Sequence, residues 1–283
     1  MSLDVQSRKP AKTTREDGFH TVPFPYRFVL DFLPAEIYRG IEANWPDIDT
    51  FDREGGGYNK IRYRMGRDRV EQELAQTCPS WAALHRHLTQ TVFPALEEVA
   101  KPIVRHRTQG RDVPIDWDYI LTTDLPGNHF GIHVDPPQRI FSGLIYIGTP
   151  ESKNLPGTTV YRARKSSIPP MDPLKVLGLG HYNLPQEKEA LFEDFEVLDF
   201  QPNSAFLFAN CDRAWHGVEH HGSGARRLIH IVYRIDLAPF VGVDNGTLNA
   251  TPDAASDEGI AELRRQLDYR KILDAFTDAG SEG

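Results

Sequence analysis

The feature that most constrains the fold is a series of short extended segments between residues 113 and 236. These segments are rich in aliphatic, aromatic and threonine residues, and Gly, Pro, Asn or Asp separates one from the next. Such patterning is typical of β-strands joined by turns. The sequence therefore predicts an all-β unit in the second half of the chain.

Helical patterns flank this unit on both sides. Residues 33–44 carry apolar side chains at helical spacing after Pro34. A longer amphipathic segment covers residues 81–99, and its apolar side is formed by Leu84, Leu88, Val92, Phe93 and Leu96. A further helical pattern covers residues 257–276, where we expect packing on the β unit or on another subunit. Residues 58–63 fit either a strand or a loop.

These patterns divide the chain into three parts. Residues 1–19 are polar and charged, which predicts a flexible arm. At 283 residues the chain is long enough for one large domain with a substantial core. We expect a single domain over 20–248, with a helical N-terminal part (20–112) and a β core (113–240), followed by a C-terminal helical tail (249–283).

Composition restricts the function classes. A net charge of −8 argues against nucleic-acid binding through a basic surface. The local basic cluster of Arg62, Arg64, Arg67 and Arg69 is of the kind usually found on a solvated face. Two cysteines give no disulfide framework, and neither a signal-peptide pattern nor an apolar run long enough to span a membrane is present. We expect a cytoplasmic protein without a membrane partner.

Three residues indicate a metal site. His133 and Asp135 lie in an extended segment, where side chains at i and i+2 point the same way. His216 follows the apolar run 205–209 and would come from another strand. Two histidines and one carboxylate can occupy one face of an octahedral Fe(II) and leave the other face open. Alternatively, the His-x-Asp is a chance pair, His216 is a strand-end histidine bonded to a carbonyl, or His220 or His221 is the ligand.

The order of these motifs resembles the Fe(II)/2-oxoglutarate-dependent oxygenases, and within them the prolyl-hydroxylase-like branch. The resemblance covers roughly residues 115–236. It lies in segments 118–128, 133–135, 144–147, 156–160, 200–208, 216–218 and 226–233, with an entry strand and helix start at 23–34. It implies a double-stranded β-helix (jelly roll) core with flanking N- and C-terminal helices, in the α+β class. One departure is Asp124, where family members often carry Tyr, so a cosubstrate contact from that position is not expected.

The resemblance also implies the cofactors and their ligands. Fe(2+), 2-oxoglutarate and O2 would take part, and the need for ascorbate is left open. The far carboxylate of 2-oxoglutarate would lie buried, where it needs a cation and a hydrogen-bond donor. Arg226, ten residues after His216, would supply the guanidinium, with Arg227 as the alternative because the register is uncertain by one. Tyr146 would supply a phenol, although a strand tyrosine is more often core or rim.

The implied activity is hydroxylation, or a related oxidation, of an unactivated C–H bond. The substrate is left open among a protein residue, an amino acid, a peptide and a small metabolite, as is the oligomeric state. A jelly-roll binding protein with a silent metal site is one alternative, and a cupin-like isomerase or metal hydrolase is another, because fold does not dictate function. The irregular insertion 162–193 is predicted to be either a substrate lid, which would contribute His181 or Tyr182 to the rim of the cavity, or a disordered segment.

Overall fold

The computed structural model describes residues 20, 22–53, 62–107, 115–135, 139–149, 155–163, 182–183, 192–210, 213–219 and 224–235. The predicted arm (1–19), the tail helix (257–276), most of the predicted lid, and His181, His220 and His221 lie outside these residues. The described part contains twelve strands and four α-helices.

The helices lie in the first half of the chain. They are α1 (Ala35–Ala43), α2 (Arg67–Arg69), α3 (Pro79–His87) and α4 (Phe93–Arg107), with π-helical turns at Val70–Leu74 and Leu88–Val92. Proline opens α3, where its missing N–H has no helical partner to lose. The five apolar residues predicted to form one side of the long helical segment, Leu84 to Leu96, are all buried.

Twelve strands form two antiparallel sheets. The larger has the order β1-β10-β6-β12-β4-β3-β2 and the smaller has the order β8-β5-β11-β7-β9. The strands of the larger sheet are β1 (Tyr26–Val29), β2 (Asp52–Arg53), β3 (Arg62–Gly66), β4 (Ile115–Asp124), β6 (Arg139–Ile147), β10 (Ala205–Ala209) and β12 (Arg226–Ile235). Those of the smaller sheet are β5 (His129–Val134), β7 (Pro156–Ala163), β8 (Tyr182–Asn183), β9 (Phe192–Asp199) and β11 (His216–Glu219).

The connectivity is that of a double-stranded β-helix. From β4 to β7, and again from β9 to β12, successive strands alternate between the two sheets. Strands β10, β6, β12 and β4 pair in the larger sheet, and β5, β11, β7 and β9 pair in the smaller one. This pattern confirms the jelly-roll fold predicted from the sequence. The N-terminal part is not only helical, because β1, β2 and β3 extend the larger sheet.

Both faces of the larger sheet are covered. Phe93 of α4 stacks on Trp117 of β4 with ring centroids 4.1 Å apart, and its carbonyl accepts a hydrogen bond from Tyr233 of β12. The opposite face turns toward the smaller sheet. Strand β12 is therefore buried along almost its whole length, as expected of a strand covered on both sides. Among the described residues, no helix combines the length and hydropathy needed to cross a membrane.

Candidate metal centre

His133, Asp135 and His216 come together between the two sheets. One ligand atom from each lies within 4.8 Å of the other two, and all three residues are buried. His133 lies on β5 and Asp135 directly follows that strand. His216 opens β11 and is the register partner of His133. The i, i+2 spacing and the strand pairing thus bring together the three residues that the sequence predicted.

Backbone carbonyls fix both imidazole rings. Nδ1 of His133 lies 2.9 Å from the carbonyl oxygen of Gly131, and Nδ1 of His216 lies 2.8 Å from that of Ala214. In each ring the proton on Nδ1 is donated to the carbonyl, which leaves the lone pair of Nε2 for a metal. Taken alone, such a hydrogen bond would fit a purely structural role for His216. Here it occurs on two facing rings, whose centroids are 4.2 Å apart.

The carboxylate of Asp135 is held by side chains from the larger sheet. Arg139 donates to Oδ1 over 3.0 Å and Ser142 donates to Oδ2 over 2.6 Å. Asn210 donates to the backbone carbonyl of Asp135 over 3.1 Å. Partners of this kind orient metal-binding carboxylates in proteins.

The donor set fits a divalent first-row metal ion. Burial lowers the pKa of His216, and the nearby Asp135 opposes this only in part, so the ring is in the neutral form that binds metals. Ligand atoms about 2.0–2.2 Å from one ion and on one face of it lie about 3 Å apart, and the three side chains bring their ligand atoms within 4.8 Å of one another. Two imidazoles and one carboxylate suit Fe(II) when further positions stay open.

Arg226 lies in the same cavity, within a buried row of charges. Its guanidinium Nη1 donates to Oδ2 of Asp124 over 2.9 Å, and the two side chains are 1% and 0% exposed. Arg62 contacts the same carboxylate, with Nε 2.5 Å from Oδ1 and Nη2 3.0 Å from Oδ2. The three residues are register neighbours on β3, β4 and β12.

This row carries one net positive charge. Two guanidiniums share one carboxylate, so Asp124 orients both cations without neutralising them. Burial lowers the pKa of Arg226, and Asp124 acts in the opposite direction, but a guanidinium keeps its charge at any working pH. Nε of Arg226 is buried and has no hydrogen-bond partner among the described residues. The carboxylate of a ligand bound in the cavity would therefore lie near a net positive charge and near the Nε–H donor of Arg226.

Tyr146 lies beside Arg226 in the fully buried interior. Its hydroxyl lies 2.8 Å from Oγ1 of Thr158 and accepts a hydrogen bond from the Thr158 N–H over 3.2 Å. Burial raises the pKa of Tyr146, so it remains a neutral phenol. Phe200 stacks on the Tyr146 ring at 4.9 Å, and its own ring lies 5.4 Å from the Arg226 guanidinium.

The alternative arginine faces the other way. Arg227 lies on the outer side of β12, with its guanidinium 5.8 Å from the ring of Trp45. Leu228, the next residue on the side of Arg226, lines the cavity as expected. The register assumed for β12 therefore matches the structure, while the role of Arg226 stays a prediction.

The sequence analysis did not place several polar residues in the cavity, among them two arginines of β3. Arg62 and Arg64 line the cavity, so the expectation of a solvated basic cluster is wrong for them. The expectation of a solvated position holds for Arg69, which forms an ion pair with Glu73 at the surface. Arg67 packs on the ring of Trp117. Asp124 was noted only as a departure from the family pattern, and its ion pairs were not foreseen. The i, i+2 spacing of Arg62 and Arg64 was an available signal, because it places both on one face of a strand.

The described part of the insertion pairs with β5, the strand that carries His133. Tyr182–Asn183 pairs with β5, with Asn183 opposite His133 and Tyr182 opposite Val134. The remainder of the predicted lid lies outside the described residues, so the lid stays a prediction.

The chain is similar in fold to several solved structures at low identity. A prolyl-4-hydroxylase from Pseudomonas putida is 12% identical over 74% of this chain and 91% of that one, with a TM-score of 0.39. A prolyl hydroxylase from Trichoplax adhaerens, solved with a hypoxia-inducible-factor peptide, is 14% identical over 74% and 83%, with a TM-score of 0.46. HygX from Streptomyces hygroscopicus, solved with nickel and 2-oxoglutarate, is 11% identical over 74% and 82%, with a TM-score of 0.40.

No protein-family model matches the chain, and no curated protein matches it.

Proposed function

We propose that this protein is an Fe(II)- and 2-oxoglutarate-dependent oxygenase that hydroxylates an unactivated C–H bond of a protein residue, amino acid or small metabolite. One observation carries the proposal: a single cavity holds a His-Asp-His cluster and, on another part of its wall, a buried guanidinium. A metal and a dicarboxylate need these two features together. The motif resemblance over residues 115–236 supports the same assignment.

His133, Asp135 and His216 would hold the metal. Their Nε2 atoms and the carboxylate leave the remaining coordination positions to the cosubstrate and O2. Ser142 and Arg139 keep the Asp135 carboxylate in one orientation. Iron and 2-oxoglutarate, when bound, supply the activation of O2 that oxidises the substrate C–H bond, with release of succinate and CO2.

The row of Arg62, Asp124 and Arg226 would receive the far carboxylate of the cosubstrate. A buried carboxylate requires a charged partner and hydrogen-bond donors, because its desolvation costs several kcal/mol. The row offers one net positive charge and the buried Nε of Arg226. Thr158 and Tyr146 add hydroxyl groups beside it. The ring of Phe200 packs on Tyr146 and on the Arg226 guanidinium at this end of the cavity.

The test is succinate formation from 2-oxoglutarate by the purified protein with added Fe(II). We expect slow formation without substrate, which Asp135→Ala abolishes together with metal binding. Arg226→Ala should raise the 2-oxoglutarate concentration needed for half-maximal rate at least a hundredfold, because breaking a buried ion pair costs about 3–5 kcal/mol. Arg227→Ala is the matched control and should leave it unchanged.

Two results would reject the proposal. A protein that binds the metal but forms no succinate is a binding protein with a silent site. A protein that acts with the metal but does not consume 2-oxoglutarate is an isomerase or hydrolase. An Arg227 effect in place of the Arg226 effect would reject the assignment of the carboxylate partner alone.

A further inference from the structure

One polar residue of the cavity wall has no part in the proposed function. His230 lies on β12, lines the cavity and is only 9% exposed. Its imidazole forms no hydrogen bond with any residue that the structure describes, and its Nε2 is enclosed. A buried polar group without a partner costs free energy, so His230 calls for an explanation.

The neighbours of His230 in the sheet have no side chain that could supply a partner. Its register partners are Leu144 on β6 and Ile120 on β4, and both are aliphatic. His230 is thus a polar group in an apolar row of the sheet. In ligand sites, a few polar groups among apolar ones fix the orientation of the ligand and give specificity. The cavity is lined by several apolar side chains, namely Phe130, Leu144, Phe208, Val218 and Leu228.

His230 lies nearer, along β12, to the metal cluster than to the row of Arg226. Val232, two residues further along the strand, is the register partner of Ser142, which donates to Asp135. Two residues of a strand span about 7 Å. Arg226 lies twice as far away in the other direction. A molecule held at His230 can therefore place one of its C–H bonds at the metal cluster while the cosubstrate occupies the end at Arg226.

The imidazole of His230 is neutral. Burial lowers the pKa of His230 well below its ordinary value, and the guanidinium of Arg139 acts in the same direction while Asp135 opposes it. A neutral imidazole has one N–H donor and one acceptor nitrogen. A hydroxyl or a primary amide can both donate and accept, so it can bond the ring in either tautomer. A buried carboxylate would need a cationic partner, which this ring is not.

We propose that His230 is a specificity-determining residue whose imidazole forms a hydrogen bond with an uncharged hydroxyl or amide group of the primary substrate. This inference rests on the proposed function, because it concerns the second substrate of the same cavity. The apolar lining matches an aliphatic or aromatic body for that substrate.

The first experiment separates a ligand-binding role from a structural one. His230→Leu removes the polar ring from the full chain without ligands. We expect the melting temperature to stay the same or to rise, because the variant removes the cost of a buried group without a partner. Tyr38→Phe is the matched control, because the buried Tyr38 hydroxyl bonds Glu42 and the Gly148 N–H, and its loss should lower the melting temperature. A fall for His230→Leu as large as that of the control would overturn the proposal.

The second experiment measures binding to the full chain loaded with Ni(II), an inactive stand-in for iron, and saturating 2-oxoglutarate. The probes are neutral alcohols and primary amides, each compared with the carboxylate and the hydrocarbon of the same skeleton, for example benzyl alcohol with benzoate and toluene. We expect at least one alcohol or amide to raise the melting temperature more than both of its analogues do. Affinities follow from the dependence of this shift on probe concentration.

Variants then locate the hydrogen bond. His230→Leu should weaken binding of that alcohol or amide about fivefold, because one buried hydrogen bond is lost. His230→Gln keeps a neutral donor and acceptor and should retain most of the affinity. Neither variant should change the affinity for the metal or for 2-oxoglutarate. His87→Leu, at the end of α3 and outside the cavity lining, is the control and should change none of these affinities.

The outcomes separate the two proposals. If no alcohol or amide binds better than its analogues, or if His230→Leu binds it as well as the unaltered protein, the role of His230 is wrong although the oxygenase stands. The same holds if His230→Leu loses affinity for the metal or for 2-oxoglutarate, since His230 would then serve those ligands. If 2-oxoglutarate itself gives no stabilisation and no succinate forms with Fe(II), the oxygenase proposal fails and takes this one with it.

Discussion

Asp135 shows how a single residue depends on the other sheet. It follows β5 of the smaller sheet, yet both of its carboxylate oxygens accept hydrogen bonds from residues of β6 in the larger sheet. Arg139 donates a charged hydrogen bond over 3.0 Å, and Ser142 donates a neutral hydrogen bond over 2.6 Å. The orientation of this candidate metal ligand is therefore set by the packing of the two sheets. The hydroxyl of Ser142 can be removed by substitution while all three candidate ligands are kept.

Ser142→Ala should weaken metal binding without unfolding the protein. Loss of an outer partner of a metal ligand typically costs 10–100-fold in affinity, and we expect a loss in this range. The affinity can be measured by competition with a chelator of known strength. Ser204→Ala is the matched control, because Ser204 is also buried and its hydroxyl donates to the Gln201 carbonyl, away from the metal cluster. A control that loses as much metal affinity as Ser142→Ala would contradict this role.

At the scale of elements, β5 and β11 approach closely where they carry the two histidines. His216 pairs with His133, and a register irregularity follows between His216 and Val218. Gly217 lies at this irregularity. A Cβ built there would be 2.9 Å from the Phe130 carbonyl oxygen and 3.0 Å from that of Gly131. The same Gly131 carbonyl orients His133.

Gly217→Ala should therefore separate the two strands and disturb the metal cluster. The methyl group meets backbone atoms, which cannot rotate away as a flexible side chain can. We expect a destabilisation of about 1–3 kcal/mol, as for other overpacked sites, together with weaker metal binding. Gly66→Ala is the control, because a Cβ there meets nothing within 4 Å. Chemical denaturation and metal titration of both variants test this, and unchanged metal affinity in Gly217→Ala would count against it.

The pairing of elements also explains what the sequence could predict. The strand series, the helix with Leu84 and Leu88 on its buried side, and the His133–Asp135 spacing depend on local periodicity, and each agrees with the structure. The register of β12 followed from the spacing of Arg226 from His216. These features need only neighbouring residues or a familiar motif order.

The ion pairs of Arg62 required information that no local pattern contains. Arg62 precedes Asp124 by 62 residues and Arg226 follows Asp124 by 102, and only the order β3-β4-β12 brings them together. The i, i+2 spacing of Arg62 and Arg64 places both side chains on one face, but it does not indicate which face is buried, because residues 58–63 fit either a strand or a loop. The burial of His230 depends on the same pairing.

At the scale of the whole molecule, β1 ties the start of the domain to its late strands. Residues Tyr26–Val29 pair with Ala205–Phe208 at the edge of the larger sheet. Phe24 and Tyr26 are buried there, with Phe24 packed edge-on against Phe208 at 6.1 Å. Phe208 in turn contacts the ring of His216 at 4.6 Å. This series of aromatic contacts joins the N-terminal segment to the His-Asp-His cluster.

Phe24→Ala should destabilise the fold by about 3–5 kcal/mol, the usual cost of a large cavity left by a buried aromatic ring. Val22→Ala is the control, because Val22 is 55% exposed and should change stability by less than about 0.5 kcal/mol. The free energy of unfolding in urea distinguishes them. A loss below about 1 kcal/mol for Phe24→Ala would show that β1 is dispensable to the core.

The central place of β12 has a consequence for how the chain folds during synthesis. The last described strand is inserted between β6 and β4, which end at Ile147 and Asp124, 79 and 102 residues before β12 begins at Arg226. Until it emerges from the ribosome, both neighbours present open backbone edges, which are sites for wrong pairing and aggregation. Such long-range pairings make folding slow, on the order of milliseconds to seconds for all-β topologies. A nascent chain that lacks β12 also lacks Arg226, so the buried ion pairs of Asp124 with Arg226 and the continuous larger sheet form in the same late step.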